Sequence, residues 1–109
     1  MGDKIIVFDM YGKEVDIINE LEGCFLQRVI GKINRMDLMK AVKGLDEETK
    51  ETIFRNMTPR AVTMLKEDIE VLREVSLIDI QASKKKIIDT IIRLQDSGEI
   101  VIGRNWNYG

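Results

Sequence analysis

The chain has 109 residues, a net charge of −2, one cysteine and no histidine. That length suits a single domain of ~100–150 residues, and the missing imidazole excludes a Ser–His or Cys–His triad and removes the commonest metal ligand. Apolar residues make up 44% and charged residues 33%, a globular and soluble balance, and no apolar run approaches the ~20 residues of a membrane-spanning helix.

Residues 3–9 hold the short β-branched run Ile5-Ile6-Val7 and are followed by the turn signal Tyr11-Gly12-Lys13, which predicts a strand. Its expected partner is the short apolar run Glu99 to Gly103, or a neighbouring chain, because one isolated strand is unstable. From Glu14 to Leu21, and again from Cys24 to Ile33, apolar residues recur at helical spacing, with Gly23 breaking the chain between. Cys24, beside Phe25, is expected in the core; with no second cysteine and no signal-peptide pattern, the setting expected is reducing and cytoplasmic.

Asn34 then caps a helix carrying Met36, Leu38, Met39, Ala41 and Val42, with Asp37 in the capping-box position and Gly44 as its C′ stop. Asp46 caps the next, with Glu47 and Glu48 in the first turn, where the helix dipole favours negative charge. Ile53, Phe54 and Met57 form its buried side. It must end before Thr58, since the residue preceding Pro59 avoids the α region.

Thr58-Pro59 opens a further helix running to about Arg73. At roughly 100° per residue, Ala61, Val62, Leu65, Ile69 and Leu72 gather on its inner side, opposite Arg60 and Glu67, with Asp68 on the flank. Ser76 or Asp79 starts a short helical turn. The last long helix spans Ala82 to Asp96 and closes at Ser97-Gly98. The fold expected is mostly all-α, a compact multi-helix bundle over residues 14–103, preceded by a strand-and-turn extension over 1–13 and followed by a frayed tail over 104–109.

The chemistry of catalysis is missing. Glu47-Glu48 and Glu67-Asp68 are adjacent carboxylates that point about 100° apart on a helix, and the glycines form neither GxGxxG nor a P-loop. No enzyme, metal site or cofactor is expected. Lys84-Lys85-Lys86 reads as a solvated face. A long helix followed by Gly-Glu-Ile-Val-Ile-Gly also resembles the recognition helix and wing of winged-helix DNA readers. Against nucleic-acid binding stands a pI near 5.2, which lacks the basic footprint that neutralising phosphates requires. Met36, Met39, Met57 and Met64 sit at core spacing, with gap-filling as their default role and an adaptable contact surface as the alternative.

The row of charges opposite the apolar stripe reads most simply as a solvated face with weak intrahelical pairs. Met64 and Val71 share that side, which favours a protein contact. The same region carries a family resemblance. Ala41-Val42-Lys43-Gly44, Ile53-Phe54-Arg55-Asn56-Met57-Thr58-Pro59-Arg60-Ala61, Met64-Leu65-Lys66-Glu67-Asp68 and Gly98-Glu99-Ile100-Val101-Ile102-Gly103 are similar to the C-terminal domain of the FliG family of flagellar motor switch proteins. The specific parts are an RNM[S/T]xRA core and a GE[I/M]VIG ending, and the likeness covers Asp16 to Gly103 without a gap.

That resemblance implies a helical domain at the cytoplasmic rim of the flagellar rotor, where a charged ridge meets the cytoplasmic loop of the stator protein MotA, with FliM or other FliG-type subunits as possible neighbours. Carried over by position, the ridge uses Lys43, Arg60, Glu67 and Asp68. The chain departs from the family pattern at Ser76, where a further basic residue is usual, and at Arg73-Glu74, which replace a Gly-Pro turn; Ile5-Ile6-Val7-Phe8 only partly echoes the family's Met-Phe-x-Phe hinge. The alternative is a FliG-derived adaptor that binds other proteins through the same surface without a motor role.

Overall fold

Alternation sets the first element. Ile5, Val7, Val15 and Ile17 are buried while Ile6, Phe8 and Glu14 are exposed, the period-two pattern of a strand with one wet face. The computed structural model describes residues 2–102 and forms here an antiparallel hairpin of β1 (Ile6–Phe8) and β2 (Glu14–Asp16), with Val7 opposite Val15. The Asp9 carboxylate accepts from the Tyr11 and Lys13 amides at 2.8 and 2.9 Å, and Gly12 takes φ 78°, which glycine adopts without steric cost.

The strand partner expected from the sequence is therefore corrected. Residues 99–102 form no strand, and Gly103, like the tail 104–109, lies outside the described residues. Pairing across a short turn costs far less chain entropy than joining the two ends of the chain. Residues 14–16 are taken by β2, so the helix expected over 14–21 shrinks to the turn α1 (Ile17–Glu20). The wing strand of the nucleic-acid alternative is likewise not formed by residues 99–102.

The longer helices are α2 (Gly23–Lys32), α3 (Arg35–Lys43), α4 (Glu47–Arg55), α5 (Pro59–Val71) and α6 (Leu77–Asp96). Four start at side-chain caps. Asn34 accepts from the Met36 amide at 2.8 Å, Asp46 from Thr49 at 2.9 Å, Thr58 from Ala61 at 3.2 Å and Ser76 from Asp79 at 3.1 Å. Each satisfies an N–H that has no partner inside its helix.

Three local expectations change. Asp37 forms no capping box, being one methylene short of the preferred Glu; its carboxylate accepts from Ser83 Oγ at 3.1 Å and pairs with Lys86 at 3.3 Å, tying α3 to α6. α6 runs unbroken from its Ser76 cap, because no Gly or Pro interrupts it before Ser97. Gly44 ends α3 at φ −98°, outside the left-handed region. What demands glycine there is space: a Cβ would lie 2.3 Å from Ile80 Cγ2.

Helical phase explains two further corrections. Cys24 is exposed, because it sits on the far side of α2 from the buried pair Leu26 and Val29, about 140–160° around the axis from each. Lys84 is only 6% exposed, because with Ile80, Ile87 and Ile91 it falls on the inward stripe of α6. Its alkyl stem lies against Gly44, the usual way a long basic side chain covers apolar surface. Lys85 and Lys86 stay exposed.

α3 packs on both α6 and α5, α2 packs on α6, and α1 on α4. Ile17, Ile18, Leu26, Val29, Val42, Leu45, Ile53, Leu65 and Ile91 fill the space between them, each worth ~1.5–3 kcal/mol on burial. After Gly98, at φ 81°, the chain turns back and adds Ile100 and Ile102 to the same core. The N-terminal arm is stitched to the α3–α4 loop: the Asp3 amide donates to the Gly44 carbonyl at 3.0 Å and the Asp46 amide to the Asp3 carbonyl at 3.2 Å. Beside it Lys4 Nζ bonds Glu48 and lies 2.9 Å from Asp46 and 3.8 Å from Asp16.

Candidate protein-interaction ridge

α5 is amphipathic in a mixed way. Leu65 is buried and Ala61, Val62, Ile69 and Leu72 are half-buried on its inner side. Outward, Arg60, Met64, Glu67 and Val71 are all exposed. Their spacing of i, i+4, i+7 and i+11 confines them to one stripe about 60° wide at ~100° per residue. Met64 is 47% and Val71 80% exposed, so the stripe alternates charge with bare apolar surface.

The four charges named from the sequence divide into two pairs. Arg60 and Glu67 stand about 10 Å apart along the axis, at 1.5 Å per residue, and neither has a hydrogen-bond or ion-pair partner among the described residues. Asp68, 80° around from Arg60 at ~100° per residue, turns toward α3: its Oδ2 accepts from Arg35 Nε at 2.9 Å and from the same guanidinium's Nη2. Lys43, in the last turn of α3, directs Nζ at the carbonyls of Leu72 and Arg73, 3.4 and 3.5 Å away. Leu72 and Arg73 follow Val71, the last residue of α5, so the ammonium pins the chain where it leaves the helix.

So α3 holds the C-terminal half of α5 with one ion pair and one ammonium set against the carbonyls just past its end, leaving Arg60 and Glu67 facing outward. Lys66 adds a tie to α4, with Nζ 5.0 Å from the Phe54 ring centroid, a cation–π contact of ~0.5–1 kcal/mol at an exposed site. Arg35 is a residue that sequence reasoning missed. Its partner lies 33 positions away, and no periodicity within one helix signals such a pair. Ser76 caps α6, which gives that position a use that a basic side chain cannot serve.

The family model described as the FliG C-terminal domain matches residues 12–102. The chain belongs to the FliG C-terminal domain family. Among its relatives, the flagellar motor switch protein FliG of Thermotoga maritima is 41% identical over 87 residues, 80% of this chain and 26% of that protein. FliG of Borreliella burgdorferi is 44% identical over 84 residues, 77% of this chain and 24% of that protein. The chain thus spans about a quarter of the length of these FliG proteins.

The fold matches as well. Full-length FliG from Aquifex aeolicus superposes with a TM-score of 0.71 at 26% identity, over 74% of this chain and 25% of that one. A FliG fragment from Helicobacter pylori gives 0.74 at 25% identity, over 80% of this chain and 38% of the fragment. The mostly helical fold, with a small antiparallel sheet, is that of the FliG C-terminal domain. Among the described residues no helix is long and apolar enough to cross a membrane.

Proposed function

We propose that this chain serves as a rotor component of a flagellar motor switch, at the cytoplasmic face of the basal body beside FliM or other FliG-type subunits. Its ridge helix α5 meets the cytoplasmic loop of the stator protein MotA, and torque and direction pass by protein contact, with no bond made or broken. The observation that carries this reading is the exposed, unpaired couple of Arg60 and Glu67 on one stripe of α5. Exposed pairs are worth ~0–1 kcal/mol each, which lets contacts form and break at every passing subunit. Opposite charges also set encounter and orientation more than lasting affinity. Lys43 and Asp68 contribute from behind, fixing the angle at which the stripe is shown.

The test is charge reversal in the native host. Arg60→Glu and Glu67→Lys are each expected to cut swimming and capture of the stator loop at least several-fold, with partial rescue by the opposite reversal in the loop. Unchanged swimming and unchanged loop binding in both variants would remove the ridge from the mechanism. Normal swimming together with loss of some other bound protein would favour the adaptor.

A further inference from the structure

The outward stripe of α5 is complementary to itself. Arg60 and Glu67 lie seven residues apart with Met64 between them. A two-fold axis passing beside Met64, perpendicular to the helix, brings Arg60 of each copy to Glu67 of the other and places the two Met64 side chains together at the centre. We propose that the chain self-associates through this antiparallel contact, α5 of one copy against α5 of a second.

On the outward stripe of α5 the charges left without partners are the ones this symmetry pairs. Of the other charges on α5, Asp68 is engaged with Arg35 and Lys66 over Phe54, and Glu70 lies about 80° around the helix from Arg60, off the stripe. Lys43 is likewise engaged at the helix end. The parallel arrangement is disfavoured, since it sets Arg60 against Arg60 and Glu67 against Glu67, and like charges across an interface are costly. Met64 is unbranched and adaptable, suited to packing against its own image. An isologous contact of this kind closes at two copies and cannot propagate.

Its strength is bounded by its size. One stripe of a 13-residue helix offers less than the ~800 Å² per partner of a standard stable interface. The expected Kd is therefore on the order of 0.1–1 mM, a transient association. The contact covers the surface assigned above to a partner, so self-association and partner binding through α5 exclude each other. The inference itself does not need the motor reading.

Sedimentation equilibrium on the purified chain, from about 20 μM to about 1 mM at low salt, spans the expected transition. The average mass is expected to rise toward the dimer across that range. Arg60→Glu and Glu67→Arg, each checked for unchanged helicity and thermal unfolding, should each weaken association about tenfold or more, the factor that 1.4 kcal/mol represents. The swap R60E/E67R should restore it to within about threefold, because the reversed stripe is again complementary to itself. A chain that stays monomeric at the upper concentration overturns the proposal. So does association indifferent to the single reversals, or a swap no better than either one. The motor reading is tested separately: the swap leaves a stator loop's charges as they were, so on that reading it restores self-association without restoring swimming, and swimming that returns with self-association would count against it.

Discussion

Asp68 accepts two hydrogen bonds from Arg35 across the α3–α5 interface, one of them 2.9 Å long from Nε. A charge that sequence position assigns to an outward ridge is thus tied to a neighbouring helix. Both side chains are about half exposed, so water screens the pair and its worth is ~0.2–1 kcal/mol. Arg35→Ala and Asp68→Ala should each lower unfolding free energy by no more than about that amount, and the double variant should cost less than their sum. Urea titration of the four proteins measures the coupling. Strict additivity would mean that the contact contributes nothing in solution.

Gly44 gives a sharper prediction. Its added Cβ would meet Ile80 Cγ2 at 2.3 Å, and α3 and α6 cannot separate without opening the core they share. Gly44→Ala is expected to cost ~1–3 kcal/mol, the range for overpacking a filled interior. Placing it on an Ile80→Ala background removes the clashing methyl, so the added cost of the glycine substitution should fall to well under half. An equal cost in both backgrounds would place the strain elsewhere.

The cluster around Lys4 predicts an acid response. The Thr49 hydrogen bonds, and then Lys4, hold the Asp46 carboxyl down at about 2 from its ordinary 3.8. Glu48 and then Asp46 hold the Lys4 ammonium above its usual range. A carboxyl with a depressed folded-state pKa favours the native chain fully above the unfolded value, and that contribution drains as pH falls through the folded one. Stability should therefore decline between about pH 4 and pH 2, and Asp46→Asn should flatten that part of the curve. Thermal unfolding in small pH steps reads it directly; the same slope in both proteins would rule Asp46 out as the source.

Leu65 is the one fully buried side chain of α5. Leu65→Ala should cost ~2–5 kcal/mol, as other core truncations do. Met64→Ala, one residue along on the outer stripe, should stay within about ±0.5 kcal/mol. Denaturant midpoints at unchanged slope separate the two. A large effect at Met64 would mean that the stripe is covered within the chain.

Much of this was readable from the order of residues. Asn34, Asp46 and Thr58 each announce a helix start by chemistry confined to three residues, and all serve as caps; Ser76, one of two starts the sequence offers beside Asp79, caps α6. The inner face of α5 follows from its spacing, as does the outward placing of Arg60. Cys24 and Lys84 show the same rule neglected. Residue type favours a buried cysteine and a wet lysine, yet helical phase turns Cys24 out and Lys84 in. The hairpin was half legible, since its turn signal is local, but β2 is three residues long and merges into the apolar spacing of α1. Contacts between distant residues were not legible at all. Arg35 with Asp68, Lys43 with the end of α5, and Ile80 above Gly44 are set by how helices cross, which a single sequence does not encode in any short window.

The return of the chain after Gly98 has a practical corollary for anyone trimming this domain. Among the described residues the last regular element ends at the final turn of α6, and a boundary drawn there looks tidy, yet it would discard Ile100 and Ile102 and leave two vacancies beneath the bundle. A shortened version ending at Ser97 should yield aggregated or protease-sensitive material, while one retaining Ile102 should behave like the parent.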